Sequence, residues 1–405
     1  MQFRIQNMTI QSFDWYNPTK LIMKHDASAE IVDYLVQDNI TSVMLVYGRS
    51  SAKRIGVYDA VVNALKMKNI RIFELPNIRP NPQIERVIEG INICRQHNIQ
   101  AMLPLGGGSC FDTAKGIAIG ALFSHDVPAE TIWNCYERIL VPKSALPIYG
   151  VMTCSGTGSE MNHASVMQDD KQKKKFAFGS SVIFPKVSIV DPKLQATIPW
   201  YVQVGGFVDA FMHVCENLTN VEDPEEVETT YAIDISLCRS IIKAGDKLLK
   251  DPNDHVARAN FIWADICAID QLSAIAMKGG DIGVHMLQHA MTAVNPNIQH
   301  GAGIGVAFLA FIKVNGERGL RKATYDRMAK EIFGREGWQG LYDGFKEVLV
   351  RWGHPTTLDE LFGRKMTEED RAELLRVFNM NSITCNHYPD RKMPQELAIE
   401  AYRVI

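Results

Sequence analysis

Histidines and one aspartate recur at helical spacing in the second half of the chain. Asp209 and His213 are four residues apart. His285 and His289 repeat that spacing, and His300 follows in a Pro- and Gly-rich stretch. Residues four apart share one helix face. A carboxylate with two or three imidazoles suits Zn²⁺, Fe²⁺, Mn²⁺, Co²⁺ or Ni²⁺, which can polarise a substrate oxygen. A buried histidine is also often only a hydrogen-bonded core residue, so spacing alone leaves both interpretations open.

A glycine-rich turn, Gly106-Gly107-Gly108-Ser109, separates a β-rich run from a helical run. Glycines allow close backbone approach, and the N–H groups at a helix start favour a phosphate. The turn lacks the G-x-G-x-x-G fingerprint of an ordinary Rossmann domain. It is therefore either a phosphate-binding turn or only a tight turn.

Two further polar turns follow other β-rich runs. The segment 153–160 (TCSGTGSE) offers hydroxyls that could bind a diphosphate or ribose, or could simply cap a helix. The segment 48–51 (GRSS) places hydroxyls and a guanidinium where the adenosine end of a dinucleotide could reach. Ligands of open α/β sheets bind at the carboxyl ends of the strands, which fits both turns.

Strand and helix patterns alternate through the first half of the chain, and these elements must position the polar turns. Helical patterns at Ala52–Lys68, at Gln83–His97 and from about Cys110 separate β-rich runs. The predicted strands are Ser42–Tyr47, Arg71–Leu75, Ala101–Leu105, Leu146–Thr153 and Val187–Val190. This alternation predicts a parallel sheet covered on both faces. Pro104 lacks an N–H and is expected to mark the end of its strand or a bulge.

The pattern of apolar residues changes after about residue 195. Apolar residues then recur at helical spacing in seven segments: Gln203–Thr219, Glu225–Lys250, Val256–Met277, Gly283–Val294, Gly303–Asn315, Arg321–Phe333 and Gly337–Trp352. We therefore predict an α/β dinucleotide-binding domain over 1–195 and an all-α, metal-binding domain over 196–405.

Composition narrows the class of protein. A chain of 405 residues is long for one core, which fits two domains. A net charge of −3 gives no broad attraction to nucleic acid or membranes. The basic run 171–175 is expected to be a solvated loop. Eight scattered cysteines, no signal-peptide pattern and no run of about 18 apolar residues point to a reducing, cytoplasmic location.

The turns and the histidine pairs together resemble the iron-containing (group III) alcohol dehydrogenase family, most closely its butanol dehydrogenase or broad aldehyde reductase branch. The resemblance covers residues 10 to 400. Its motifs are GGGSCFDTAK at 106–115, GTGSE at 156–160, DP at 191–192, GGFVDAFMHVCE at 205–216 and VHMLQHAMTA through IQHG at 284–301. It implies an N-terminal α/β domain and a helical C-terminal domain, a dehydroquinate synthase-like fold, with the active site between them. It also implies a homodimer.

The resemblance assigns roles residue by residue. The implied metal ligands are Asp209, His213, His285 and His300, with Fe²⁺ as the family's usual ion. His289 would lie near the substrate without binding the metal, and it is our candidate for a catalytic proton path. The candidate cofactor residues are Gly48, Ser50, Ser51, Asn81, Gly107, Gly108, Ser109, Asp112, Thr153, Thr157 and Lys175. Three features depart from the family pattern: Cys154-Ser155 before Gly156, Pro104 before the glycine turn, and the sequence GRSS after the first strand.

The expected activity is hydride transfer between NAD(P)(H) and a small primary alcohol or aldehyde at a divalent metal. An acid after the first strand would repel a 2′-phosphate. This chain has Arg49, Lys53 and Arg54 there instead, which favours NADP(H). The alternatives are a glycerol dehydrogenase or dehydroquinate synthase-like enzyme, or a non-catalytic relative that binds a metal or nucleotide.

Overall fold

The computed structural model describes residues 13–221, 223–270, 272–277, 279–381 and 393–405. Cys385 and the first 12 residues, which entered the expectations on cysteines and signal peptides, lie outside this part. The seven cysteines within it are free thiols.

A six-stranded parallel sheet forms the centre of the N-terminal half. The strands of the described chain are β1 (Lys20–Met23), β2 (Ser42–Tyr47), β3 (Arg71–Leu75), β4 (Ala101–Gly107), β5 (Tyr149–Cys154), β6 (Ala164–Asp169), β7 (Lys174–Gly179) and β8 (Val187–Val190). Their order in the large sheet is β1-β8-β5-β4-β2-β3, and β6 and β7 form a separate antiparallel hairpin. The predicted parallel sheet is confirmed, while β1 and the hairpin were not foreseen.

The helices of the N-terminal half cover both faces of the sheet. They are α1 (Ile31–Gln37), α2 (Ser51–Arg54), α3 (Val57–Met67), α4 (Ile84–His97), α5 (Gly108–Gly120) and α6 (Trp133–Tyr136), with short 3₁₀ turns at Ser28–Glu30, Ala129–Ile132, Ser181–Ile183 and Pro192–Gln195. Val87, Ile91 and Ile117 of α4 and α5 lie in the core on one face. Leu35 and Val61 of α1 and α3 lie in the core on the other. Strands buried on both sides explain the continuous apolar run of β2.

The C-terminal half is helical, as predicted. Its helices are α7 (Trp200–Thr219), α8 (Glu228–Lys250), α9 (His255–Ile269), α10 (Gly283–Val294), α11 (His300–Glu317), α12 (Lys322–Met328), α13 (Gly337–Arg351), α14 (Leu358–Phe362), α15 (Glu368–Asn381) and α16 (Gln395–Val404). Shorter turns lie at Pro224–Val227, Leu272–Ala274 and, as a π turn, Ala329–Phe333. Among the described residues, no helix is long and apolar enough to cross a membrane.

The strand prediction around Pro104 was too short. β4 continues through Pro104 to Gly107, and the irregularity in its pairing lies at Gly106/Gly107. Pro104 pairs with Val46 of β2, whereas regular pairing with β5 begins only at Leu105. The missing N–H therefore falls where the β4–β5 ladder is interrupted, which removes the objection to a proline in a central strand.

The β6–β7 hairpin bridges the two halves. β6 packs against α4 and α5, and β7 packs against α10 and α15. The prediction of a solvated loop at 171–175 is therefore wrong for its last two residues, because β7 begins at Lys174 and Lys175 is buried. The hairpin carries Lys175 from the sheet domain into the helical one.

Candidate metal centre and cofactor site

Three helices bring the predicted ligands to one point. Asp209 and His213 lie one turn apart on α7, His285 lies on α10, and His300 is the first residue of α11. The Nε2 atoms of His213 and His285 are each 3.6 Å from Asp209 Oδ1. The Nε2 atom of His300 is 3.5 Å from the same oxygen. Ligand atoms of Asp209, His213 and His285 all lie within 4.8 Å of one another, and His300 approaches this group through the same Asp209 oxygen.

These distances fit a divalent ion better than direct hydrogen bonds. They exceed the usual upper limit of about 3.2 Å for an N–H···O bond. Two ligand atoms that are each about 2.1 Å from a tetrahedral ion are roughly 3.4 Å apart. Asp209 Oδ1 is also buried without a hydrogen-bond partner among the described residues. An orphaned carboxylate oxygen that faces three imidazole nitrogens is a donor set for Fe²⁺ or Zn²⁺.

Two residues that the sequence analysis did not single out orient the imidazoles. His285 Nδ1 lies 2.6 Å from Glu216 Oε2, and His300 Nδ1 lies 2.6 Å from Gln288 Oε1. Each Nδ1–H donates to its acceptor, which leaves the Nε2 lone pair facing Asp209. Glu216 is three residues after His213, and Gln288 is three residues after His285. Helical spacing from the ligands was the signal that could have found them.

The charge balance of the cluster favours a cation. Burial lowers the pKa of His285, but the carboxylates of Glu216 and Asp209 outweigh burial and raise this pKa to about 10. The ring therefore retains positive charge, or the site binds a metal ion in place of the proton.

His289 stands beside the ligands without joining them. Its ring centre is 6.2 Å from that of His285 and 5.8 Å from that of His300. Nδ1 is buried without a partner within the described chain, and the Lys175 backbone is the ring's hydrogen-bond partner. Burial, reinforced by the nearby Lys175 ammonium, lowers the pKa of His289 well below its usual value. The ring is thus a neutral imidazole with a free lone pair.

Lys175 and Asn81, two cofactor candidates, lie against the metal ligands. Lys175 Nζ is 3.0 Å from Asn81 Oδ1, 3.2 Å from Thr292 Oγ1 and 3.4 Å from His300 Nδ1. Burial lowers the pKa of Lys175 to about 7. Asn81 also donates to the carbonyl of Ile298, so the segment before α11 is tied to the sheet domain.

The other cofactor candidates converge at one edge of the sheet. Gly48, Gly107 and Thr153 end or follow β2, β4 and β5, which are neighbouring parallel strands. A Cβ on Gly108 would lie 2.3 Å from Thr157 Oγ1 and 2.9 Å from Thr157 Cβ. Only glycine allows this contact, which fixes the 153–160 turn against the start of α5. Free N–H groups at the start of a helix are the kind of donors that bind a phosphate.

Asp112 points into the protein. Its carboxylate accepts the Ser159 hydroxyl at 2.7 Å and the Val166 N–H at 3.1 Å. The fully buried Lys115 lies beside it and donates to Ser159 and Asn162, both at 2.9 Å. Asp112 therefore braces the turn at 153–160 and the β6 edge. Lys115 was missed by the sequence analysis, because a lysine in a helical run reads as exposed.

Ser155, which departs from the family pattern, forms hydrogen bonds with Gln195. Ser155 Oγ accepts the Gln195 amide at 2.8 Å, and the Ser155 N–H donates to Gln195 Oε1 at 3.2 Å. Both side chains are buried. The extra hydroxyl is therefore satisfied within the protein. Cys154 lies next to Gly107, and burial raises the pKa of its thiol to about 12, so it stays a neutral thiol.

The turn after β2 is open and basic. Ser50, Ser51, Arg49 and Lys53 are all exposed. The nearby Glu74 carboxylate accepts the hydroxyls of two tyrosines, Tyr47 and Tyr58. Both carboxylate oxygens of Glu74 therefore accept hydrogen bonds, whereas the exposed side chains of this turn carry a positive charge or a hydroxyl group.

Known proteins with similar sequences and structures show the family of this chain. Residues 18–192 match the family described as iron-containing alcohol dehydrogenase, and residues 203–391 match its C-terminal family. A probable NADH-dependent butanol dehydrogenase 1 of Bacillus subtilis is 34% identical over 74% of this chain and 75% of its own length. The NADPH-dependent aldehyde reductase YqhD of Escherichia coli is 29% identical over 80% of this chain and 81% of its own. The solved structure of NADH-dependent butanol dehydrogenase A of Thermotoga maritima superposes with a TM-score of 0.89 at 31% identity and covers 98% of both chains. The chain therefore belongs to the iron-containing alcohol dehydrogenase family, in its branch of butanol dehydrogenases and aldehyde reductases, and is an NAD(P)-dependent oxidoreductase.

Proposed function

We propose that this enzyme interconverts small aldehydes and primary alcohols at a divalent metal, Fe²⁺ by family, held by Asp209, His213, His285 and His300. The observation that carries the proposal is the approach of three imidazole Nε2 atoms to within 3.5–3.6 Å of the orphaned Asp209 oxygen. Four protein ligands would fill a tetrahedral shell, so the substrate oxygen would bind such an ion as a fifth ligand. The nearby glycine turn supplies the place for the cofactor phosphates.

The bound ion would polarise the substrate oxygen, and the nicotinamide would carry the hydride. The remaining tasks fall to the chain. Glu216 and Gln288 hold two ligand rings in the tautomer with a free Nε2. His289, neutral because of burial, accepts the alcohol proton at Nδ1 and returns it in the reverse direction.

We assign the preferred cofactor as NADP(H). A 2′-phosphate at the turn after β2 would meet Arg49, Lys53 and two serine hydroxyls. Glu74, an acid close to this turn, is occupied by two tyrosine hydroxyls. The relatives include both NADH- and NADPH-dependent enzymes, so the side chains of this turn carry the argument. A kcat/KM ratio that strongly favours NADH would refute this assignment.

The central test is metal analysis of the purified protein together with turnover of butyraldehyde. His285→Ala should abolish both bound metal and activity, whereas His97→Ala, at the end of α4 on the far side of the sheet domain, should change neither. Full activity in His285→Ala would remove the proposed metal centre. His289→Ala should keep the metal and lose activity.

We also propose a domain boundary near residue 195, a homodimer and a cytoplasmic location. The boundary is supported by the start of α7 at Trp200, after which helices follow. The homodimer and the location are supported by family resemblance. Light scattering of the purified protein measures the oligomeric state directly.

A further inference from the structure

A buried carboxylate of the helical domain reaches the turn at 153–160. Asp265 lies on α9 and is 0% exposed. Its Oδ2 accepts the Gly156 N–H at 2.7 Å, and the Gly158 N–H is a second backbone partner. Neither the metal centre nor the predicted cofactor residues include Asp265. An ionised side chain at such depth requires a specific partner to offset its loss of hydration.

The two N–H groups belong to a tightly confined backbone. Gly158 has a φ of +54°, and a Cβ there would lie 1.8 Å from Ile269 Cγ2, also on α9. Thr157, between the two glycines, is in contact with Gly108 on its other side. The turn is therefore held by α9 from one side and presents Thr157 to the start of α5 on the other.

A second acid makes the site around Asp265 unusual. Glu160 is 0% exposed, and neither of its carboxylate oxygens has a hydrogen-bond partner among the described residues. Burial raises the pKa of both carboxyl groups, and the charge of Glu160 raises that of Asp265 further. Hydrogen bonds from the two glycine N–H groups counteract this rise at Asp265, and the nearby Lys115 ammonium counteracts it at Glu160.

We propose that Asp265 is a positioning residue for the nicotinamide cofactor. Its carboxylate holds the N–H groups of Gly156 and Gly158, so that Thr157 stays fixed against Gly108 at the cofactor turn. The inference rests on the proposed function, which places the cofactor phosphates at this turn. It extends cofactor binding to a residue of the helical domain, and it makes the packing of α9 part of the cofactor site.

The isosteric variant Asp265→Asn separates this role from simple packing. An asparagine has one acceptor oxygen, and its amide nitrogen is a donor. The side chain would then lose one acceptor oxygen and its ability to ionise, while its volume stays the same. Asp265→Ser is the second variant, because it removes the charge and leaves room for a water if Asp265→Asn does not fold. Asp270→Asn, at the end of the same helix, is the matched control, since within the described residues its carboxylate accepts the Leu272 N–H and contacts neither Gly156 nor Gly158.

The experiment is a fluorescence titration of NADPH against each purified variant, with metal content and steady-state constants measured in parallel. A weaker hold on the Gly156 and Gly158 N–H groups, equivalent to the loss of about one hydrogen bond, predicts an increase in the NADPH Kd of about tenfold for Asp265→Asn. The KM for the aldehyde and the metal content should stay at the wild-type values, as should all constants of Asp270→Asn. A wild-type NADPH Kd in folded Asp265→Asn or Asp265→Ser would overturn the proposal. A loss of metal with an unchanged NADPH Kd would overturn it as well.

Thr157→Val distinguishes this failure from failure of the proposed function. If Thr157→Val weakens NADPH binding and Asp265→Asn does not, the cofactor turn stands and the role of Asp265 falls. If the wild-type protein does not bind NADPH, or Thr157→Val binds it as tightly as the wild type, the placement of the cofactor itself is wrong.

Discussion

Substitution of Glu216 should weaken metal binding even though Glu216 is not among the predicted ligands. Glu216 is 2% exposed, lies 2.6 Å from His285 Nδ1 and accepts the His285 N–H at 3.1 Å. Glu216→Gln keeps only one acceptor oxygen, so its NH₂ group would face either the backbone N–H or the Nδ1–H of His285, and a charged hydrogen bond worth about 1.5–3 kcal/mol would be lost. A loss of about 1.4 kcal/mol corresponds to a tenfold weaker metal Kd.

Glu216→Ala should have a larger effect. It leaves the buried Nδ1–H of His285 without an acceptor and frees the ring to rotate, so we expect a metal Kd about 100-fold weaker, at the upper end for residues that support metal ligands. The assay is competition between the metal-free protein and a fluorescent chelator, with Zn²⁺ or Fe²⁺ under anaerobic conditions. Asp234→Asn on α8 is the control, because this 0% exposed acid has no hydrogen-bond partner among the described residues. Wild-type metal Kd values in both Glu216 variants, or an equal loss in Asp234→Asn, would refute the role of Glu216.

Three further predictions concern the cofactor turn and the helical core. Gly108→Ala should raise the NADPH Kd at least about tenfold and leave the metal content unchanged, because the new Cβ would displace Thr157. Isothermal titration calorimetry measures this Kd, and an unchanged value would contradict the prediction. Ser155→Ala should lower the free energy of unfolding by about 1–2 kcal/mol in urea, because the buried Gln195 amide loses its acceptor; equal stability would show that water replaces the hydroxyl. Burial lowers the pKa of His354 from 6.5 to about 4, and neither ring nitrogen has a partner within the described chain. As the pH falls below 6.5, only the unfolded chain takes up this proton, so about 3 kcal/mol of stability should be lost between pH 6.5 and 4. His354→Leu should remove this part of the acid sensitivity in thermal melts at pH 7 and 4.5, and an unchanged difference between the two melts would count against it.

The sequence predicted elements best where the hydrophobic period was unbroken. β2, β3, β8 and α10 have the predicted bounds. β2 and β8 are mostly apolar runs, and β3 (RIFEL) ends just before Pro76. α10 starts at a glycine and ends before Asn295-Pro296. The predicted helix Ala52–Lys68 is divided into α2 and α3 at Gly56, because a residue with a φ of +80° cannot continue a helix. The sequence alone does not show that this glycine, which lies within a helical pattern, has a positive φ.

The β6–β7 hairpin illustrates what local patterns miss. Its second strand, KKFAFG, starts with two lysines, and the segment reads as a charged loop. Lys175 is buried because two polar side chains from distant segments, Asn81 and Thr292, accept hydrogen bonds from its ammonium group. Asp265 is similar: its partners are backbone N–H groups more than 100 residues away. Burial of a charged group is decided by partners that only the tertiary structure supplies.

Helical spacing indicated the pairs Asp209–His213 and His285–His289, and the family resemblance then selected His300 in place of His289 as a ligand. Helical spacing also explains how the candidate site is held together. α7 supplies Asp209 and His213, and it also supplies Glu216, which orients His285 on α10. α10 in turn supplies Gln288, which orients His300 on α11. Both α7 and α10 therefore carry a ligand and the group that fixes the next helix's ligand. A small rotation of α10 would disturb His285 and the support of His300 together. Mutations that shift α10 should consequently reduce metal affinity more than the loss of any one supporting hydrogen bond.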